Sequence, residues 1–187
     1  MLFLVYMIKE WELIESKIDR DYRVFRIQAE RALSPRTKKI GQFYTIDTND
    51  WVNIIPVTAN DEVVMIKQYR HGSKEITFEI PGGLVDEGDH REAALRELLE
   101  ETGYAGDNIE LLGSVNPNPA IFNNLCHTYL VRNAKKITEI NLDPDEDIEV
   151  IHMPIQEIPY LIEKGTISHA LVVVGFYFYF MKRPVLK

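Results

Sequence analysis

Apolar and polar residues alternate along 22–28 (YRVFRIQ) and again along 41–46 (GQFYTI), with β-branched and aromatic side chains in excess. A period of two buries one face of an extended chain, so both segments are predicted strands, joined by the turn-rich SPRTKK at 34–39. Residues 52–58 and 63–68 are also strand-like, and Ala59-Asn60-Asp61-Glu62 between them predicts a hairpin. After the break at Pro81-Gly82-Gly83 the pattern changes to that of a helix over residues 90–102. Short strands are predicted near 109–116 and 126–132. The polar segment Asn141 to Glu149 leads into a strand at 149–153, and helical stretches at 155–164 and 168–181 follow. No internal repeat, low-complexity tract or Gly/Ser linker interrupts this order, and strands mixed with few helices imply an α/β or α+β class.

The helix of 90–102 has both ends written into the chain. Asp89 with Glu92 three residues on is a variant of the capping box, and Gly103 suits the left-handed residue just past the end. At about 100° per residue, Ala94, Leu95, Leu98, Leu99 and Thr102 share one side and Glu97, Glu100 and Glu101 the adjacent side. The expectation is therefore an apolar face on the core with the three acids beside it. Like charges at such spacings repel. Arg96 reaches Glu100 at i, i+4 but cannot neutralise all three. Either this is a solvated acidic face, or a hard divalent cation with a preference for oxygen ligands sits on it.

Bulk properties narrow the class of partner. With 187 residues, 45% of them hydrophobic and 27% charged, the chain can build one sizeable core with at most a small appendage. A formal net charge of −8 argues against nucleic acid as a partner, because phosphate backbones are bound mainly through Lys and Arg. Bound cations would still let an acidic protein hold a small polyanion. The single cysteine, Cys126, excludes an internal disulfide and fits a reducing cytoplasm. Met1 to Met7 (MLFLVYM) lacks the basic leader and cleavage site of a signal peptide; it reads as a strand or irregular start, with Met7 an alternative initiator. Ala170 to Met181 falls well short of the roughly 20 residues that span a bilayer and reads as a buried helix, so no membrane partner is expected.

Residues 82–104, GGLVDEGDHREAALRELLEETGY, resemble the signature box of the Nudix hydrolase superfamily, G-x5-E-x7-R-E-U-x-E-E-x-G-U with U a bulky apolar residue. Gly83, Arg96, Glu97, Leu98, Glu100, Glu101 and Gly103 match. Asp89 stands where the family has Glu, six residues rather than seven separate it from Arg96, and Tyr104 fills the last apolar position. The resemblance implies an α/β/α sandwich with a mixed sheet at 51–187, preceded by an N-terminal antiparallel β extension at 1–50. It further implies Glu97 and Glu101 as principal metal ligands, Glu100 as a further ligand, the Gly82 carbonyl as an extra one and Arg96 as the group that orients the acids. The implied metal is Mg²⁺, with Mn²⁺ as a substitute. The glycine pair is expected to let backbone approach metal and phosphate closely.

The remainder of the chain is similar to the ADP-ribose and nucleoside-diphosphate-sugar pyrophosphatase branch, through Gln68-Tyr69-Arg70, Glu79-Ile80-Pro81-Gly82-Gly83, Pro119 and Asp145-Glu146-Asp147. That resemblance implies hydrolysis of the diphosphate bond of ADP-ribose or a related nucleotide sugar, with dinucleoside polyphosphates or nucleoside triphosphates as rival substrates and a non-hydrolysing nucleotide-binding regulator as the rival class. Arg70 would bind phosphate or the terminal ribose with Gly83 nearby, Glu79 would hold sugar hydroxyls or pair with a neighbouring Arg, and Trp51 would stack on a base or simply pack. Glu146, in a loop too rich in acid and proline for a regular element, is the expected base or metal ligand. The β extension is the expected homodimerisation segment. His71, His90, His127, His152 and His169 show no ligand spacing and are expected to be structural or surface residues, and adjacent strand residues Cys126 and His127 face opposite ways and so cannot form a nucleophile pair.

Overall fold

Three antiparallel strands, β1 (Glu12–Asp21), β2 (Arg26–Leu33) and β3 (Ile40–Asp47), form a sheet in that order. The computed structural model describes residues 7–86, 88–144 and 146–182; most of the leading apolar stretch and Asp145 lie outside them. The chain divides into two compact units, one holding this sheet with residues 118–124 and the other holding residues 49–117 and those after 124. In the first unit the loop 118–124 is bound to β3, with the Ile46 N–H donating to the Ile121 carbonyl at 2.6 Å. The strand expected at 22–28 begins instead at Arg26, because Tyr22 and Phe25 close a turn: the Tyr22 N–H donates to the Phe25 carbonyl at 2.9 Å. β1 was not anticipated, and it is exposed along its whole length, so no burial pattern marks it in the sequence.

The second unit is built on a mixed sheet whose main path runs β10 (Ile148–Pro154), β5 (Glu62–Arg70), β4 (Trp51–Val57), β9 (Cys126–Lys136) and β8 (Tyr104–Val115). The β4–β9 pair is parallel, Trp51 opposite Cys126 through Val57 opposite Arg132, and the other pairs are antiparallel. The expected hairpin turn at 59–62 is present, but its strands pair only at Val57 and Val63. β4 then turns to β9 and to the short β7 (Gly82–Leu84), while β5 pairs with β6 (Glu75–Glu79) and β10.

Alternation along β4 sends side chains to two cores. Val52 and Ile54 join Ala93, Ala94 and Leu98 of α1 (His90–Thr102) with Tyr129 and Val131 of β9. On the other face, Ile55 and Val57 join Met65, Leu130 and the helices α2 (Ile158–Glu163) and α3 (Ala170–Lys182), through Ile158, Val172 and Phe176. Helices on both faces of a mixed sheet make the α/β architecture expected. α3 buries Val172, Gly175, Phe176 and Tyr179 as a packing helix, and among the described residues no helix is long and apolar enough to cross a membrane.

Candidate active site

α1 is held in place at both ends. The Asp89 carboxylate accepts the Arg91 N–H at 3.1 Å, and Gly103, at φ 73°, donates its N–H to the Leu99 carbonyl at 2.8 Å. A Cβ at Gly103 would meet the Thr138 carbonyl oxygen at 2.2 Å, so only glycine fits there. Beyond β9 the chain is bound to this end of the helix: Ile137 and Thr138 donate to the Gly103 carbonyl and Asn141 to that of Glu100. That places the acidic loop around Glu146 beside the acids of α1.

The buried face of α1 differs from the expected one. Glu97 and Glu101 are 9% and 3% exposed, whereas Leu95 and Leu99 are 38% and 36% exposed. The small side chains Ala93 and Ala94 and the Leu98–Thr102 stripe set the helix against β4 and β9, which rotates Glu97 and Glu101 inward over β7. Their setting is backbone: the Gly82 N–H donates to Glu101 Oε2 at 2.9 Å. At Gly83 a Cβ would lie 2.5–2.7 Å from the Glu97 carboxylate, and at Gly82 one would lie 2.2 Å from the Val52 carbonyl oxygen. Gly83 thus makes room for a carboxylate, and Gly82 for the neighbouring strand. Arg96 spans two acids, reaching Glu97 at 2.9 Å and Glu100 at 3.0 Å.

Burial drives the electrostatics. It pushes the Glu97 carboxyl up to about 7, with Arg96 opposing and the charges of Glu100 and Glu146 adding to the rise. Burial likewise pushes Glu101 up to about 8, against the Gly82 hydrogen bond and with the charges of Glu97 and Glu146 in support. Glu146 therefore acts on both acids from a loop 45 residues beyond Glu101, although it is itself exposed and accepts the Asp143 N–H at 3.1 Å. Glu149, in contrast, pairs with Lys67 at 3.1 Å.

Arg70 and Glu79 face each other. Nε and Nη2 of Arg70 donate to the two Glu79 oxygens at 2.8 and 2.7 Å, and Thr77 Oγ1 adds a third bond at 2.6 Å. Of the two readings open for Glu79, the pairing with a neighbouring Arg is the one observed. The Arg70 guanidinium also lies within the field of Glu101 and Glu146, at the rim of the acids. His169, which sequence reasoning set aside, lies beside this pair: burial holds its pKa below the ordinary histidine value, with the Glu79 charge opposing. Trp51 begins β4 between Leu84 and Cys126 and is partly exposed.

A second cluster stands near the N-terminus of α1. Asp50, His90 and His127 bring one carboxylate oxygen and two imidazole nitrogens within 4.8 Å of one another, a group able to hold a metal ion. No spacing rule could find it, since 40 and 77 residues separate the two histidines from Asp50. Burial alone would raise the Asp50 carboxyl, but the hydrogen bonds from Leu125, His90 and His127 hold it below its ordinary value. Cys126 is buried, and burial pushes its thiol up to about 12, so it is no nucleophile at neutral pH.

This geometry of box helix, glycine pair and mixed sheet coincides with what known proteins indicate. The NUDIX domain model matches residues 48–173, and the chain belongs to the NUDIX family. It is 34% identical over 125 residues to a methanol dehydrogenase activator of Bacillus methanolicus, covering 65% of this chain and 68% of that protein. It is 30% identical over 121 residues to an ADP-ribose pyrophosphatase of Bacillus subtilis (strain 168), covering 64% and 65% respectively. With an ADP-sugar pyrophosphatase of Mus musculus the identity is 40% over 87 residues, 44% of this chain and only 39% of that one. A solved structure, described as the crystal structure of ADP compounds hydrolase, superposes with a TM-score of 0.84 over 97% of this chain and 100% of its own, at 18% identity.

A carboxyl whose pKa is raised by folding binds more protons in the folded state, so stability falls as pH rises from the ordinary carboxylate range through about 8. Without divalent metal, Glu101→Gln is therefore expected to raise the melting temperature at pH 8 by roughly 5 °C, on the scale of a few degrees per kcal/mol for a chain of this size. The same variant should lose any stabilisation that Mg²⁺ gives the wild type. Thermal melts with and without Mg²⁺ check both; a Glu101→Gln protein less stable than wild type in metal-free buffer would contradict the sign.

Proposed function

We propose that the chain is a metal-dependent hydrolase of the diphosphate bond in ADP-ribose or a related nucleoside diphosphate sugar, releasing a nucleoside monophosphate and a sugar phosphate. The observation that carries this reading is the pair of buried carboxylates, Glu97 and Glu101, set against the backbone of Gly82 and Gly83. Membership of the NUDIX family supports the reaction class, and the pyrophosphatase names of the relatives support the substrate class.

The donors fit a hard divalent ion. Carboxylate oxygens of Glu97, Glu100, Glu101 and Glu146 and the Gly82 carbonyl are all oxygen ligands, the set that suits Mg²⁺, with Mn²⁺ as its substitute. Bound there, the metal supplies positive charge to the diphosphate oxygens and makes a coordinated water more acidic. The chain's own groups do the rest. Arg96 fixes the rotamers of Glu97 and Glu100 through its two ion pairs. Arg70, locked by Glu79, offers its outer guanidinium edge to phosphate or ribose oxygens. Glu146 accepts the proton of the water that attacks one phosphorus, the P–O–P bridge breaks, and the leaving phosphate takes the bridging oxygen. Trp51 offers a partly exposed ring on which a base can stack.

A homodimer in the cytoplasm completes the reading. Leu13, Ile18, Ile40, Phe43 and Tyr44 are exposed apolar residues of the three-stranded sheet, surface that a second copy of the chain would cover. The single buried thiol agrees with a reducing compartment.

An assay of Mg²⁺-dependent product release over ADP-ribose, other nucleotide sugars, dinucleoside polyphosphates and nucleoside triphosphates is expected to show preference for the diphosphate sugars. In it, Glu146→Gln should lower kcat by about 10²-fold with a smaller change in KM, and Glu149→Gln should change little. Preference for triphosphates would move the substrate class, absence of turnover on the whole panel would favour a binding regulator, and equal small effects of both substitutions would return the base to α1, at Glu100. Sedimentation at micromolar concentration is expected to give a dimer; a fully active monomer would reject the role given to residues 1–50.

A further inference from the structure

We propose that Asp50, His90 and His127 form a second metal site, distinct from the carboxylate site of α1, that takes a borderline transition ion of the Zn²⁺ class. Three separate segments converge on it: the residue before β4, the first residue of α1 and the second residue of β9. Both rings direct Nε2 at the same oxygen, Asp50 Oδ2, at 2.9 Å from His90 and 3.3 Å from His127. Donors on a tetrahedral Zn²⁺ with bonds of about 2.0–2.1 Å stand about 3.3 Å apart, so the spacing needs only small adjustment. The ring centroids lie 4.2 Å apart, tilted by 58°, which lets both nitrogens face one point.

The surroundings are those of a ligand set and not of three incidental neighbours. The Leu125 N–H donates to Asp50 Oδ1 at 2.8 Å, which holds the other oxygen toward the rings. His127 Nδ1 lies 2.7 Å from Ser114 Oγ. With its proton on Nδ1 and given to that hydroxyl, His127 would turn the Nε2 lone pair to an ion in place of the hydrogen bond to Asp50, as a metal-ligating imidazole requires. The side chains of Asp50 and His90 are 30% and 36% exposed, so an ion and a fourth, water ligand can reach the site.

The two sites differ in chemistry and position. Two nitrogens and one oxygen favour Zn²⁺ over Mg²⁺, whereas the acids of α1 offer oxygen alone. His90 precedes Glu97 by two turns, about 10 Å along the helix axis. An ion here would bind the start of the acid-bearing helix to β4 and β9, and so stiffen the support of Glu97 and Glu101.

The test is equilibrium dialysis of the full chain against micromolar Zn²⁺ with millimolar Mg²⁺ present to occupy the carboxylate site, counting zinc per chain by elemental mass spectrometry. About one bound zinc is expected, weakened at least tenfold by His90→Ala and by Asp50→Asn, and about tenfold by Ser114→Ala, whose hydroxyl is hydrogen-bonded to Nδ1 at the back of His127. Glu97→Gln should leave zinc binding unchanged, and Co²⁺ in place of Zn²⁺ should give visible absorption bands that His90→Ala removes. Far-UV circular dichroism confirms that each variant is folded, and His90, at the exposed start of the helix, is the one best able to accept alanine. No zinc retained by the wild type, or equal zinc retained by folded His90→Ala and Asp50→Asn, would overturn the proposal.

Discussion

Two glutamates one helical turn apart, both buried, are the constraint on which the rest of this site depends. An ionised carboxylate taken from water costs several kcal/mol unless something replaces its hydration. Among the described residues the replacements are few: one backbone N–H for Glu101 and one shared guanidinium for Glu97. The shortfall appears as carboxyl groups that hold their protons up to about 7 and 8 in the absence of metal. A divalent cation held by these acids, as proposed, would remove the shortfall and displace those protons, so metal affinity and the pH response would be two expressions of one burial.

The surrounding structure serves that burial. Caps at Asp89 and Gly103 fix where α1 begins and ends, and so fix which residues face β7. Gly83 leaves the volume into which the Glu97 carboxylate fits. Residues 137–141, hydrogen-bonded to the end of the helix, bring the acidic loop within electrostatic reach of both acids. Arg70 has its own charge matched by buried Glu79, which lets a guanidinium stand within the field of Glu101 and Glu146.

Local signals made much of this legible in advance. The caps of α1, the acid spacing, the turn at 34–39 and the strand near 41–46 each depend on neighbours within a few residues, and each is found. What could not be read depends on distant partners. Leu95 and Leu99 have the hydropathy of core residues, yet the packing of Ala93, Ala94 and Leu98 on β4 and β9 turns the helix so that acids take the buried side. The parallel β4–β9 pairing, the short β6 and β7 and the wholly exposed β1 carry no periodic pattern of their own. Asp50, His90 and His127 are ordinary residues in sequence, and only the β4–β9 pairing with α1 packed on it makes them neighbours. Arg70 and Glu79, each considered for a substrate contact, are two residues of one β5–β6 arm that meet each other first.

The most direct measurement is titration of the Glu97 and Glu101 side-chain carboxyls by carbon-detected NMR in metal-free and Mg²⁺-saturated protein. Without metal the two signals should titrate near pH 7 and 8, and with Mg²⁺ both should stay ionised to well below those values. Both signals titrating in the ordinary carboxylate range without metal, or no response of either to Mg²⁺, would contradict the claim that burial of these two acids makes the cation site.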